Sequence, residues 1–190
     1  MRVVAGCAGG IPLLVPKTDL RPTMDMVKGA IFSGLGEYVE GARVLDLFAG
    51  SGGLGIEALS RGAGHVNFVE ADPKAARVIG LNLGKTRLAD RPHEVHTMDV
   101  FRFLDRFAEQ GSFELVLADP PYAKARGDRN FTPELLASEG LLRGLVPGGL
   151  FVLEHRPGDK LSLGTRWECL RQKRYGATEV ALLRRCGGEG

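Results

Sequence analysis

The feature that most constrains the fold of this chain is the alternation of short apolar runs with helical segments from Ala42 onward. This alternation is typical of βαβ units, whose strands form a mostly parallel sheet with helices on both faces. The apolar runs predict strands at residues 43–48, 65–70, 94–99, 114–119 and 149–155. The intervening segments predict helices at residues 54–61, 73–84, 100–110 and 132–144.

The last forty residues add two predicted strands, at 167–174 and 178–185, joined by residues 175–177. A parallel crossover needs about a dozen residues or more, so this short return is antiparallel. The sequence therefore predicts a Rossmann-like α/β fold, with a seven-stranded, mostly parallel sheet that ends in an antiparallel hairpin. The predicted domain spans residues 41–186, after an N-terminal extension over 1–40 with a helix at 23–36 and before a tail at 187–190.

Composition excludes several other classes of protein. Apolar residues make up 44% of the 190 residues and charged residues 25%, which is typical of a globular protein and not of a disordered or fibrous one. No run approaches the ~18 consecutive apolar residues of a membrane span, so we expect a cytoplasmic protein without a membrane partner. Three widely spaced cysteines without a CxxC pair predict neither disulfides nor a metal site.

A glycine-rich loop, DLFAGSGGLG at residues 46–55, follows the first predicted strand. Glycines between a strand and a helix let the backbone approach a nucleoside-containing cofactor closely. The pattern also matches the dinucleotide fingerprint, but Asp46 would repel a pyrophosphate, whereas it favours the cationic S-adenosylmethionine. We therefore expect S-adenosylmethionine, with NAD or FAD as the alternative. The candidate cofactor contacts in this loop are Asp46, Phe48, Gly50, Ser51, Gly52 and Gly55.

Acidic residues also follow the next two predicted strands. Glu70 lies about twenty residues beyond the loop, where a carboxylate can accept both ribose hydroxyls of a nucleoside. Asp72 is a further candidate contact, although capping of the helix at Pro73 is the simpler role for it. Asp99 is placed to accept the adenine amino group, or to cap the next helix. Val100 beside it and Asp119 after the fourth strand are the remaining predicted cofactor contacts.

The fourth strand runs into Asp119-Pro120-Pro121-Tyr122, the predicted catalytic residues. Two prolines fix an extended turn that presents carbonyl oxygens and few N–H donors. If Asp119 and the Pro120 carbonyl accept the hydrogens of an exocyclic base amine, the nitrogen becomes tetrahedral and aims its lone pair at a methyl donor. The Asp119 carboxylate then stabilises the positive charge that develops on this nitrogen. Tyr122 offers an aromatic face on which a base turned out of its helix or loop can stack.

In this order and spacing, these motifs resemble the class I S-adenosylmethionine-dependent methyltransferases that modify exocyclic amines. The segments 2–6, 20–23 and 54–63 narrow the resemblance to the RsmD family over nearly the whole chain. Members of that family are bacterial 16S rRNA (guanine(966)-N2)-methyltransferases that act on the small ribosomal subunit. The resemblance implies the same activity here, with 16S rRNA as the partner and a monomer as the working form.

The resemblance also implies RNA contacts. It places Arg21 and Thr23 near the cofactor and the RNA, and the basic residues Lys124, Arg126 and Arg129 follow the catalytic motif as further candidates. Residues 7–12 carry no charge where the family commonly has basic residues, which predicts fewer phosphate contacts. Open alternatives are adenine N6 or cytosine N4 as the target, and a non-catalytic ribosome assembly factor. A basic stretch at residues 171–174 is either an RNA contact or a solvated face.

Overall fold

A seven-stranded sheet forms the centre of the molecule in the computed structural model, which describes residues 1–15, 24–122 and 128–187. Its strands are β1 Arg43–Leu47, β2 His65–Glu70, β3 His93–Thr97, β4 Phe113–Ala118, β5 Leu145–His155, β6 Trp167–Tyr175 and β7 Thr178–Arg185. The strand order is β3-β2-β1-β4-β5-β7-β6, parallel from β3 to β5 and antiparallel at β7 and β6. The predicted sheet and its C-terminal hairpin are confirmed.

Six α-helices are present in the described residues: α1 Met24–Leu35, α2 Gly53–Ser60, α3 Pro73–Lys85, α4 Val100–Arg106, α5 Phe131–Ala137 and α6 Glu139–Gly144. A 3-10 turn, Gly36–Val39, follows α1. Thr23, the first residue of the predicted helix at 23–36, lies outside the described residues.

The prediction of one helix over 132–144 is wrong, because Ser138 divides it into α5 and α6. Ser138 has an extended backbone, with φ −68° and ψ 115°, and its hydroxyl accepts a hydrogen bond from the Leu141 N–H. A serine that caps a new helix ends the previous one, since its own backbone cannot be helical.

Two other boundaries differ from the prediction by more than two residues. Helix α4 stops at Arg106 instead of residue 110, and the Phe107 N–H closes its last turn on the Phe103 carbonyl. Strand β5 starts four residues earlier than predicted, at Leu145, because a register irregularity against β4 accommodates the glycine segment in which Gly148 has φ +75°. Bulges of this kind let a strand continue past residues that would otherwise end it.

Two hydrophobic clusters cover the two faces of the sheet. Residues alternate between them along each strand, so that Val44 belongs to one cluster and Leu45 to the other. The first cluster includes Val3, Ile31 and Phe32 from the first forty residues, which therefore complete the core on that face. The helices that cover the opposite face are α4, α5 and α6.

The first fifteen residues are tied to α2 through the fully buried Glu57. Its two carboxylate oxygens accept the Val4 and Ala5 N–H groups at 2.7 and 3.0 Å. The same carboxylate lies 2.7 Å from Arg61 Nε and 3.5 Å from Lys28 Nζ on α1. Burial lowers the pKa of Lys28, while the Glu57 carboxylate opposes that shift. One buried acid thus joins three segments that are far apart in sequence.

Within the described ranges, no helix is both long and apolar enough to cross a membrane. No cluster of three or more histidine, cysteine or acidic side chains lies close enough together to hold a metal ion in those same ranges.

Candidate active site

Strand register brings the predicted site residues to one edge of the sheet. Leu47 of β1 pairs with Val69 of β2 and with Ala118 of β4. Glu70 and Asp119, the next residues on those two strands, therefore flank the start of the loop that follows β1. Parallel strands end at the same edge, and ligands of open α/β sheets bind at this edge where the strand order reverses. Here that reversal lies between β1 and β4.

The loop after β1 folds back on itself through left-handed backbone positions. Phe48, Gly50 and Gly52 have φ of +58°, +55° and +86°, and Gly52 caps α2. Left-handed φ is rare for a residue with a Cβ, so the Phe48 conformation is held by its surroundings. Its ring packs on Phe131 with a centroid distance of 5.0 Å. The loop after β1 is therefore a tight turn whose conformation is held by packing.

Glu70 fastens this loop to the second strand. Its carboxylate accepts the Gly50 N–H at 2.7 Å and the Asp72 N–H at 2.8 Å, one bond at each oxygen. A carboxylate has about four acceptor positions, so two remain for hydroxyl donors from a ligand. Glu70 is therefore placed to shape the loop and to receive a ribose at the same time.

Ser51 is buried, and a contact that the sequence analysis missed supports it. The side-chain amide of Asn82 on α3 donates to the Ser51 carbonyl and to the Leu14 carbonyl, at 2.9 Å each. Its oxygen accepts the Leu14 N–H at 2.7 Å. The signal in the sequence was a polar residue at a position where helical periodicity expects an apolar one, next to Ile79 and Leu83.

Close packing explains the last glycine of the motif. A Cβ on Gly55 would lie 2.3 Å from the Phe68 ring, so no larger residue fits without a shift. The Gly55 N–H donates to Asp46 Oδ2 at 2.8 Å. The start of α2 thereby rests directly on β1 and β2.

Asp46 lies beneath the loop with 1% of its surface exposed. Burial raises its pKa from the usual 3.8 to about 7; the Gly55 N–H opposes the shift, and the negative charges of Asp119 and Glu70 reinforce it. Near neutral pH the Asp46 carboxyl is therefore present in both its protonated and its charged form. A cation bound at this edge of the sheet would favour the charged form.

This pKa predicts a pH-dependent contribution to stability. Asp46 keeps its proton in the folded protein up to about pH 7, whereas the unfolded chain loses it near 3.8. The stabilisation is therefore full below the lower value and is lost as pH rises through the higher one, by about 1.4 kcal/mol per pH unit. Between pH 5 and 7 we expect the free energy of unfolding of the native protein to fall by about 2 to 3 kcal/mol relative to Asp46→Asn. Urea titrations of both proteins across this window measure it, and parallel curves would contradict it.

Asp72 and Asp99 both cap helices. Asp72 accepts the Lys74 N–H at 2.9 Å, and Asp99 Oδ1 accepts the Phe101 and Arg102 N–H groups at 2.9 and 3.1 Å. Asp99 Oδ2 does not take part in the cap, and Arg129 Nη1 lies 3.8 Å from it. The capping alternative thus describes the observed contacts of Asp72, while Asp99 keeps one oxygen for a ligand. Val100, the first residue of α4, is buried.

An aromatic group that the sequence analysis did not identify lies beside Asp99. The rings of Phe101 and Phe131 stack with centroids 6.3 Å apart. The Arg129 guanidinium contacts both rings, 4.7 and 4.9 Å from their centroids, and pairs with Glu134 at 2.7 Å. Arg129, predicted as an RNA contact, is therefore held beside Asp99 and Phe101. Arg21, Thr23, Lys124 and Arg126 lie outside the described residues.

A cavity of about 290 Å³ opens next to the predicted catalytic residues. Asp119 is exposed at the end of β4, and Pro120 is buried behind it. The residues that line the cavity are Pro120, Pro121, Tyr122, Asn130, Phe131, Thr132, Arg156 and Asp159. Only the first three of these belong to the motif, because the others come from α5 and from the loop after β5.

Tyr122 is oriented from its hydroxyl end. The hydroxyl forms a hydrogen bond with the Thr178 hydroxyl and lies 3.3 Å from the His155 carbonyl oxygen. Thr178 in turn donates to Glu154 at 3.3 Å. The ends of β5 and β7 therefore hold Tyr122, which lines the cavity, by its hydroxyl end.

Comparisons with known proteins agree with this architecture. A protein of Bacillus subtilis (strain 168), named "Putative rRNA methyltransferase YlbH", is 39% identical over 98% of this chain and 100% of its own. The ribosomal RNA small subunit methyltransferase D of Haemophilus influenzae is 33% identical over 96% and 92%. A solved structure named "Putative methyltransferase yhhF from Escherichia coli" superposes with a TM-score of 0.79 at 28% identity, covering 98% of both chains.

The sheet order, the glycine-rich loop at its switch point and these structural neighbours define the fold as that of the class I methyltransferases. A family model, described as Conserved hypothetical protein 95, matches residues 1–184. The chain belongs to this family, the RsmD family, as its sequence motifs suggested.

Proposed function

We propose that this protein transfers a methyl group from S-adenosylmethionine to the exocyclic N2 of a guanine in 16S rRNA of the small ribosomal subunit. The observation that carries the proposal is the position of Asp119-Pro120-Pro121-Tyr122. This turn borders a cavity on one side and lies at the same sheet edge as the glycine-rich loop. A base in the cavity and a methyl donor on the loop would meet at Asp119.

The residues on the cofactor side fit the proposed donor. S-adenosylmethionine supplies an electrophilic methyl group on a positively charged sulfur. The Glu70 carboxylate places negative charge beside the loop, which would repel a pyrophosphate and attract this cation. The bound cation would in turn favour the charged form of the buried Asp46. Glu70 has acceptor positions for the ribose, and Asp99 Oδ2, which is not used by the helix cap, would accept the adenine amino group. Val100, Phe48 and the backbone of residues 50–55 complete this side.

The catalytic side acts on the amine. The exocyclic nitrogen of a base is a weak nucleophile because its lone pair is drawn into the ring. Hydrogen bonds to the Asp119 carboxylate and the Pro120 carbonyl oxygen would hold both hydrogens out of the ring plane and release the lone pair. The carboxylate stabilises the positive charge that develops on nitrogen and accepts the proton afterwards. Pro121 keeps the turn rigid, and the anchored Tyr122 ring stacks on the base.

The assignment of RNA as the substrate is supported by the similarity to a named rRNA methyltransferase and by the basic residues that would contact RNA. The Haemophilus influenzae relative is named a small-subunit rRNA methyltransferase and is similar over most of its length. A target base in RNA must be splayed into the cavity, and stacking on Tyr122 offsets part of that cost. We propose that five residues assist RNA binding: Arg21, Thr23, Lys124, Arg126 and Arg129. We also propose that the protein acts as a monomer without a metal. Its proposed location is the cytoplasm.

The test is methyl transfer from labelled S-adenosylmethionine to small subunits that lack their native modification, followed by nucleoside mass spectrometry. Naked 16S rRNA and plasmid DNA are the parallel substrates. We expect N2-methylguanine on rRNA. Methyladenine, methylcytosine or labelled DNA would keep the role of Asp119 and overturn the substrate. Binding to subunits without any transfer would favour an assembly factor instead.

A further inference from the structure

An open groove lies on the outer part of the sheet, away from the cofactor loop. Its floor is formed by Val152, Val180 and Leu182, and helix α1 forms one wall. Arg171, Lys173 and Tyr175 of the edge strand β6 line the other side, in a volume of about 350 Å³. These three residues pair with Leu182, Val180 and Thr178 of β7, so they share one face of the sheet. We call this space the β6 groove.

The β6 groove is positively charged and carries an aromatic ring. Arg171 and Lys173 are exposed, and within the described ranges neither of them lies within 4.0 Å of an acidic side chain. Arg184 on the neighbouring strand, by contrast, pairs with Glu168 at 3.3 Å. Lys173 Nζ lies 5.3 Å from the centroid of the half-buried Tyr175 ring. Cations beside an aromatic face are the combination that binds phosphates and stacked bases of single strands.

The groove is continuous with the catalytic edge. Tyr175 pairs with Thr178, and the Thr178 hydroxyl is hydrogen-bonded to the Tyr122 hydroxyl. The Tyr175 end of the groove therefore lies towards the cavity, where a strand of nucleic acid with one base in the cavity could reach it. The charged residues then follow at every second position along β6.

We propose that the β6 groove binds single-stranded RNA that flanks the target nucleotide, with Arg171 and Lys173 on phosphates and Tyr175 under a base. This inference rests on the proposed function, since it names a second contact for the same substrate. The competing explanation is that lysine and arginine merely protect an edge strand from pairing with other chains. That explanation requires neither the aromatic ring nor the continuity with the catalytic edge.

The first measurement is the affinity of the full-length protein for small subunits lacking their native methylation, over a series of salt concentrations. The double variant Arg171→Ala/Lys173→Ala is expected to bind at least roughly 10-fold more weakly. Its slope of log affinity against log salt should fall by about 1.4, since each phosphate contact on a single strand contributes about 0.7. Tyr175→Ala should bind about 5- to 50-fold more weakly with an unchanged slope.

The matched control is Lys85→Ala/Arg91→Ala, which removes the same charge from the opposite edge of the sheet. Lys85 ends α3, and Arg91 lies two residues before β3. The control should bind like the native protein at every salt concentration. Equal affinity and slope for the two double variants would overturn the proposal. Aggregation of the β6 variant at unchanged affinity would assign the cations to edge protection.

Crosslinking identifies the partner. A photoreactive benzoylphenylalanine in place of Tyr175 should crosslink to 16S rRNA in intact subunits, while the same substitution at the exposed Phe107 should not. A crosslink from position 175 to a ribosomal protein would overturn the RNA assignment. Groove-dependent binding without any N2-methylguanine would refute the proposed chemistry and leave the groove standing. Methylation and affinity that are both unchanged in the β6 variants would refute the proposed role of the groove and leave the proposed chemistry standing.

Discussion

Replacement of Asp119 by Asn is expected to lower the turnover number for methyl transfer by roughly 100- to 1,000-fold. General acid-base and electrostatic contributions of single groups have this magnitude. The amide cannot stabilise positive charge on the attacking nitrogen, and it cannot accept the proton. Because Asp119 is exposed at the end of β4, we expect folding to be little affected. Single-turnover rates on undermethylated small subunits measure the effect directly.

Binding measurements separate this role from a structural one. Affinity for S-adenosylmethionine should stay within about 3-fold of the native value, since Glu70 and the loop are unchanged, and such a factor corresponds to less than about 1 kcal/mol. Asp105→Asn is the matched control, because Asp105 is also exposed but lies in the last turn of α4, at the end of the helix far from Asp99. A turnover number for Asp119→Asn close to that of this control would refute the proposed mechanism.

Replacement of Glu57 by Gln is expected to lower the free energy of unfolding by about 3 to 5 kcal/mol, the usual cost of leaving a buried ion without its partner. The change removes the charge opposite Lys28 and places an amide donor against an N–H group of residues 4 and 5. Total stabilities are commonly about 5 to 15 kcal/mol, so this loss is severe. Urea unfolding measures it.

The control is Glu37→Gln, which removes the same charge from an exposed position. Surface substitutions of this kind usually change stability by no more than about 0.5 kcal/mol. A second test is the coupling between Glu57→Gln and Lys28→Met. The lysine replacement should cost less, or even stabilise, in the protein that already carries Glu57→Gln, since it removes the unpaired charge. Equal effects of Glu57→Gln and Glu37→Gln would show that the network contributes little.

Much of the architecture was predictable because it depends on local patterns. Hydrophobic periodicity identified all seven strands, and a short connection required the last two to be antiparallel. The break at Ser138 was missed although a serine followed by an acidic residue is a common helix start, and the signal was present. Aromatic residues such as Phe101 and Phe131 were missed because nothing in their local sequence separates a site wall from a core position.

The sequence by itself determined the class of fold, the glycine-rich loop and the chemistry expected of Asp119, because each depends on residues close together in the chain. Only the tertiary structure decided which groups meet across long separations. It placed Glu57 against Lys28 and Val4, buried Asp46 so that its pKa rises to about 7, and joined Tyr122 to Thr178. Burial and long-range pairing depend on how helices and strands pack, and no local pattern encodes that packing.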